Sequence, residues 1–133
     1  MEFSLSSEQE MIIDTVRSFV EQELYPHEDE VEKTNHIDVS LAESIKQKAI
    51  NLGLYATNMP VEYGGGGLDT LTLCLLEKEL GKANFGLQYI VARPSNILMA
   101  CKDEQIDKYL VPTIRGEKVD CLAMTEPNAG SDV

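Results

Sequence analysis

Apolar residues recur at helical spacing along most of this chain. In SSEQEMIIDTVRSFVEQELYP, the positions Met11, Ile12, Val16, Phe19, Val20 and Leu24 share one face, which predicts an amphipathic helix. Ser7, with Glu10 three residues on, gives a capping signature at its start, and Pro26 marks its expected end. The polar HEDEVEKTNHID that follows reads as a solvated helix extension and turn. Asp38 or Ser40 opens a second helix through Leu41, Ile45, Ala49 and Ile50, and Gly53 is its natural stop. MPVEYGGGGLD is the main loop. Asp69 or Thr70 caps a third helix through Leu71, Leu73, Cys74, Leu75, Leu76 and Leu80, whose wide apolar face predicts a central position. Residues 84–101 read as another buried helix, interrupted near Pro94 because proline lacks a backbone donor and restricts the residue before it. Asp103 is the expected cap of a short helix, DEQIDKYLVP, that closes at Pro112.

The pattern changes after Gly116. In KVDCLAMTE the residues Val119, Cys121 and Ala123 alternate with the period of a strand. The expected fold is therefore all-α over residues 1–115, with residues 116–133 forming the first strand of a second, β domain. A lone strand leaves its donors and acceptors unpaired, so the expectation is a truncated chain whose β partners lie beyond Val133. No internal repeat breaks this organisation.

Composition narrows the function. The 133 residues are 43% hydrophobic and 26% charged, a globular balance that suits one domain. A formal net charge of -12, from 23 acidic and 11 basic residues, argues against a nucleic-acid or anionic-membrane surface, since both need Lys/Arg patches. Neither a signal or transit peptide nor a long apolar run is visible, which predicts a cytoplasmic protein. Cys74, Cys101 and Cys121 fit neither a disulfide framework nor a zinc knuckle and read as reduced, buried small hydrophobes. His27 and His36 sit in polar surroundings without ligand-like partners. The glycines Gly64 to Gly67 could cradle an anion, but no Lys-Ser or Lys-Thr follows them and no strand clearly precedes them. They read as a tight structural loop.

The segment AMTEPNAGSDV resembles the flavin-binding signature of the acyl-CoA dehydrogenases, with agreement at Ala123, Met124, Thr125, Glu126, Ala129, Gly130, Ser131 and Asp132. FSLSSEQEMIIDTVRSFVEQELYP resembles that family's opening helix, LGLYATNMPVEYGGGGLD its Gly-Gly turn, and EQIDKYLVPTIRGEK the helix and hairpin leading into its β domain. The order and spacing also agree, so the resemblance covers essentially the whole chain. It implies a helical N-terminal domain, a middle β-barrel and a C-terminal four-helix bundle, with FAD between barrel and helices. The implied reaction is α,β-dehydrogenation of an acyl-CoA thioester, with an electron-transfer flavoprotein or similar acceptor and a homo-oligomer at full length.

Carried over by position, the resemblance implies that the backbone of Leu122 and Met124, and the backbone and hydroxyl of Thr125, contact the pyrimidine side of the flavin. Gly130 lets backbone approach closely, and Ser131 lies beside the flavin and the pantetheine arm. Glu126 reads as structural, because the family's catalytic base lies in the C-terminal bundle, beyond Val133; the fragment alone is expected to be inactive. The stretch between Gly86 and Cys101 is about one helical turn shorter than in straight-chain members. Within it Arg93 is a candidate partner for a carboxylated acyl group, its planar fork matching a carboxylate, against the plainer reading of a surface or interdomain ion pair. Gln88, Tyr89 and Ala92 line the acyl pocket or else belong to the core. Two alternatives remain: an acyl-CoA (enoyl-CoA) reductase of the same superfamily, and a non-catalytic helical interaction module.

Overall fold

A computed structural model describes residues 4–91 and 94–130. Arg93 and Ala92, and likewise Ser131, lie outside the described residues. The first helix, α1 (Ser7–Phe19), is capped one residue earlier than the sequence suggested: the Ser6 hydroxyl accepts the Gln9 amide at 3.2 Å, and Gln9 Oε1 accepts the Ser6 amide at 3.1 Å. In this register Gln9 also donates through Nε2 to Thr72 Oγ1 at 3.2 Å. An ionised glutamate at the same place has no proton to give, which favours the Ser6–Gln9 pair over Ser7–Glu10.

Pro26 does not end the helix. A π-helical turn, Val20–Leu24, follows α1, and the chain continues as α2 (Tyr25–Thr34) with Pro26 in its first turn. In the wide turn the Tyr25 amide donates to the Val20 carbonyl, five residues back, so Pro26 enters a fresh first turn where its missing N–H costs little. The chain repeats the device near its other end. A π-turn, Ile106–Leu110, precedes a short helix, here α6 (Val111–Ile114), and Pro112 again sits in the first turn. The helix therefore passes Pro112 instead of closing there. Lys108, four residues before Pro112, has its carbonyl free of the usual partner and accepts Lys118 Nζ at 2.7 Å. Asp103 is not the cap of this helix: its own backbone is left-handed, at φ 49°, and Lys102 and Gln105 close the start reciprocally, with the Lys102 amide on Gln105 Oε1 at 3.1 Å.

The middle helices follow their sequence signals. In α3 (Val39–Asn51) the Asp38 carboxylate accepts the Ser40 amide at 2.8 Å, and Gly53, at φ 71°, ends the helix with the Leu54 amide bonded to the Ala49 carbonyl at 2.9 Å. In α4 (Thr70–Leu80) the Asp69 carboxylate accepts the Leu71 and Thr72 amides at 2.9 and 3.1 Å. These bonds, with one from the Thr72 hydroxyl first among them, hold the Asp69 carboxyl below its ordinary value. The helix α5 (Phe85–Val91) begins at Asn84, whose Oδ1 accepts the Gly86 amide at 2.8 Å. Glu28 of α2 accepts the Asn84 amide at 2.6 Å and Glu32 accepts its side-chain amide. Beyond Pro94 the chain turns through a 3₁₀ segment, Asn96–Ala100.

Pairs α1 with α4 and α3 with α5 pack against each other. Their shared core includes Val16, Phe19, Val20, Leu24, Ile45, Ala49, Leu80 and Leu87. Leu24 and Leu87 are fully buried, each worth about 1.5–3 kcal/mol relative to exposure. A second cluster, Ala56, Met59, Leu110 and Ile114, lies under the main loop. The wide apolar face of α4 is only partly covered: Leu76 and Leu80 are buried, but Leu71 and Cys74 are exposed. The cysteines are free, yet Cys74 and Cys121 are exposed and Cys101 is half-buried, so they are not the buried hydrophobes expected. The neighbouring pattern explains Cys74, which shares the solvent side of α4 with Leu71.

The four glycines form the tight loop anticipated. Gly64 and Gly67 have φ of 93° and 60°, and a Cβ on Gly65 would fall 2.3 Å from the Met59 carbonyl oxygen. The amides of Gly65, Gly66 and Gly67 all donate to backbone carbonyls, of Pro60, Ala56 and Met59, at 2.9–3.0 Å. No amide is left there to cradle a phosphate.

After Ile114 the chain passes Gly116, at φ 73°, into residues 117–125, which carry no strand pairing among the described residues. The expected strand over KVDCLAMTE is thus not formed; a ladder needs a neighbour, and the described residues offer none. One isolated bridge, Glu126 with Ala129, closes the Pro127-Asn128 turn.

Among the described residues one buried carboxylate joins α1 to α4. Glu79, 5% exposed, accepts Lys82 Nζ at 2.6 Å and Arg17 Nε at 3.3 Å. The Lys82 hydrogen bond, followed by that of Arg17, outweighs burial and holds the Glu79 carboxyl below its usual 4.5. A depressed pKa stabilises the fold above the unfolded value and that stabilisation is lost as pH falls through the folded one. Denaturant midpoints followed downward from neutral pH should therefore drop more steeply below about pH 4.5 in the wild type than in Glu79→Gln. Gly65→Ala should cost about 1–3 kcal/mol of unfolding free energy, because its Cβ meets backbone, which cannot swing away; a denaturation curve superimposed on the wild type would disprove the close approach.

Candidate functional site

Residues 119–122 meet the helical domain at one groove. A space of about 570 Å³ lies between α3 and α5, closed on a third side by Val119 to Leu122. Its walls are mostly apolar: Ile37, Val39, Tyr89, Ile90, Pro94 and Leu122. The α5 residues reach it because Asn84, held by Glu28 and Glu32, fixes where that helix begins. Tyr89 therefore lines the groove, with its neighbour Phe85 at 6.1 Å between ring centroids, whereas Gln88 does not.

The groove has a polar end. Asp120 Oδ2 accepts the Ser95 amide at 3.3 Å, in a part-buried contact. Tyr55, half-buried at the same end, has its phenol pushed above the usual 10.0, first by burial and then by the nearby Asp120 charge. Lys46 and Glu43 stand at the rim on α3. The corner Pro94–Asn96 is held from the opposite side by Asn58, whose Nδ2 donates to the Pro94 carbonyl at 2.8 Å and to Asn96 Oδ1 at 2.7 Å. Asn58 Oδ1 is buried and has no hydrogen-bond partner among the described residues.

Leu122, at the groove's edge, is 75% exposed, and Met124 and Thr125 after it are exposed too. Their backbone groups make no hydrogen bonds among the described residues, so a row of donors and acceptors faces outward. Gly130 is likewise open: a Cβ there would meet nothing within 4 Å, so packing within this chain does not account for the glycine. Glu126 is exposed, and its amide and carbonyl are spent on Ala129 at 2.8 and 3.3 Å. Among the described residues no cluster of His, Cys, Asp and Glu could hold a metal ion, and no helix is long and apolar enough to cross a membrane.

The sequence pattern of the acyl-CoA dehydrogenase N-terminal domain matches residues 6–117. This chain belongs to that family. The 3-(aryl)acrylate reductase of Clostridium sporogenes is 38% identical over 132 residues, which cover 96% of this chain and 34% of the reductase. Among solved structures, an acyl-CoA dehydrogenase complexed with FAD from Bacillus anthracis superposes with a TM-score of 0.78 at 30% identity, over 97% of this chain and 22% of that one. A chain in the structure of the electron transferring flavoprotein of Acidaminococcus fermentans, studied towards a mechanism of flavin-based electron bifurcation, gives a TM-score of 0.79 at 32% identity, over 99% and 35% respectively. The chain thus spans about a third of the length of the curated relatives it matches. The helical architecture of this acyl-CoA dehydrogenase domain is the one its resemblance implied.

Three residues at the groove carried no functional weight in the sequence. Tyr55 sits in the Leu-Gly-Leu-Tyr turn, and Asn58 in the loop after it, where a polar residue is ordinary. Asp120 had a signal: it is the one acid inside the otherwise apolar run Val119 to Met124. Because a phenol with a raised pKa favours the folded state only while it stays protonated, Tyr55 contributes stability fully present below about pH 10 and lost as pH rises through its folded pKa. Phenolate absorbance of wild type minus Tyr55→Phe should isolate a titration displaced above 10.0, and Asp120→Asn should bring it part of the way back, leaving the larger share due to burial.

Proposed function

We propose that this chain is the N-terminal part of an FAD-dependent oxidoreductase that removes the α and β hydrogens of an acyl-CoA thioester. The observation that carries the reading is the open backbone of Leu122, Met124 and Thr125 beside an apolar groove. The pyrimidine edge of a flavin carries both carbonyls and an N–H, so a backbone edge with unspent donors and acceptors fits it. When bound, FAD supplies the two-electron acceptor for the β hydride. The family match and the FAD-complexed relative support the same assignment.

Each residue then has a task. Leu122 and Met124 hold the flavin edge through the backbone, and Thr125 through backbone and hydroxyl. Gly130 leaves room for close approach, and Ser131 meets the pantetheine arm; Arg93, on the substrate side, is a candidate partner for a carboxylated acyl group. Apolar walls from Ile90, Pro94 and Leu122 keep water from a carbon acid whose deprotonation depends on a dry site. Glu126 is read as structural, its backbone closing a solvent-facing turn with Ala129. The base, the rest of the flavin site and the surface for an electron-transfer flavoprotein belong to parts outside these residues, and residues 116–133 begin the β domain that adjoins them.

A second reading has its own observation. The relative named 3-(aryl)acrylate reductase is 38% identical, and the same site geometry serves hydride delivery to an enoyl thioester. Expression of the native open reading frame, with absorption spectra recorded before and after anaerobic addition of thioesters, separates the two. A saturated acyl-CoA that bleaches a yellow protein supports dehydrogenation. Reoxidation of the reduced protein by enoyl-CoA, with no bleaching by saturated thioesters, assigns the reductase direction, and a colourless product that takes up no added FAD overturns both.

A further inference from the structure

We propose that Asp120 is a positioning residue, whose carboxylate pins the segment leading to Leu122, Met124 and Thr125 against the Pro94–Asn96 corner of the helical domain. The inference rests on the flavin reading of those three residues. Residues 117 and 118 are anchored, since both amides donate to the Pro112 carbonyl, at 2.9 and 3.2 Å, and Lys118 Nζ reaches the Lys108 carbonyl. Residues 126–129 close on themselves. From residue 119 to residue 125 the described residues show one hydrogen bond to the rest of the chain, that from the Ser95 amide to Asp120.

The place it grips is itself hydrogen-bonded to the loop. Asn58 holds Pro94 and Asn96 from the loop in which Gly65 packs on Met59, and the Ser95 hydroxyl caps the 3₁₀ turn by accepting the Ile97 amide at 3.4 Å. Asp120 thus transmits the position of a well-packed loop to a segment that has no ladder of its own. A charged acceptor suits this task, because a hydrogen bond to a carboxylate is roughly twice as strong as a neutral one. Leu122 lies two residues on. An edge that must meet a ring within tenths of an ångström cannot be left on a free five-residue span, because displacement of about 1 Å costs on the order of 100-fold in rate.

Asp120→Ala and Asp120→Asn in the full chain test this. Backbone order parameters of residues 121–125 and exchange of the Ser95 amide are read by NMR, with α4 amides as the reference for the fold and FAD titration by fluorescence quenching as the functional reading. For Asp120→Ala, order parameters should fall from near about 0.85 to below about 0.6. Ser95 exchange should rise about 10-fold and the FAD dissociation constant about 10-fold, a fold-change that corresponds to about 1.4 kcal/mol, with α4 unchanged. Asp120→Asn keeps an acceptor oxygen in place and should restore order and affinity to within about threefold of wild type, a factor near 0.65 kcal/mol. Unchanged order in Asp120→Ala, equal loosening of α4, or failure of Asp120→Asn to rescue overturns the proposal. A full-length wild type that takes up no FAD defeats the flavin reading alone; the pin is then judged by the order parameters and stands if Asp120→Ala loosens residues 121–125 with α4 unchanged.

Discussion

The close approach of Gly65 to Met59 is the constraint on which the functional end of the molecule depends. A Cβ at Gly65 would stand 2.3 Å from a carbonyl oxygen, and one at Gly66 would stand 2.9 Å from Thr57 Cα, so the two limbs of the loop run in direct backbone contact. Backbone hydrogen bonds across it, from Gly65, Gly66, Gly67 and Leu68 to Pro60, Ala56, Met59 and Thr57, consume the amides that an anion would otherwise need. What the loop holds is a corner, not a ligand. Asn58 leaves it to grip Pro94 and Asn96, Tyr55 enters it at the groove, and Met59 seats the cluster with Leu110 and Ile114. The helix that carries Lys108 and the segment after Gly116 are thereby located relative to α3 and α5.

The same demand for satisfied backbone groups explains how two prolines sit inside long helical paths. A helix that met Pro26 or Pro112 in regular α geometry would lose a hydrogen bond and clash with the carbonyl four residues earlier. Widening the preceding turn to π geometry moves the last donor, on Tyr25 or Val111, to a carbonyl five residues back, and each proline then begins a new first turn. The result is a bend in place of a break. Val20 and Leu24, both in the π-turn, are buried at 1% and 0%, so the wide turn faces the core.

Helices α3 and α4 were legible in the sequence because their signals are local: an aspartate cap, an apolar face, and in α3 a glycine at the end. The Gly-rich loop was legible because a tight structural loop needs only φ and close approach. What escaped was decided by distant partners. Ser6 wins over Ser7 through a bond from Gln9 to Thr72, which is 63 residues away in sequence. Pro26 and Pro112 read as stops because a π-turn has no sequence signature. Asp103 and the exposed cysteines were misread for the same reason: composition names what a residue can do, while its surroundings decide whether it does it. At the site, Leu122, Met124 and Thr125 came from a motif, but Tyr55, Asn58 and Asp120 emerge only where three separate stretches of chain meet.

The contrast between the two ends of the chain bears directly on function. The amides of Gly64 to Leu68 are all bonded to backbone carbonyls, and among the described residues Asn58 Oδ1 is the one buried side-chain atom without a partner. Residues 121–125 reverse this: they are exposed, apolar in side chain up to Met124, and without backbone hydrogen bonds among the described residues. A solvated loop would not place Leu122 and Met124 in water at 75% and 50% exposure, and a finished core would not leave their amides open. Such a segment is suited to being covered by something that offers both an apolar face and hydrogen-bonding edges. A flavin ring has an aromatic face and a carbonyl-and-N–H edge in one rigid plane, which is the physical ground on which the proposed flavin contact at this segment rests.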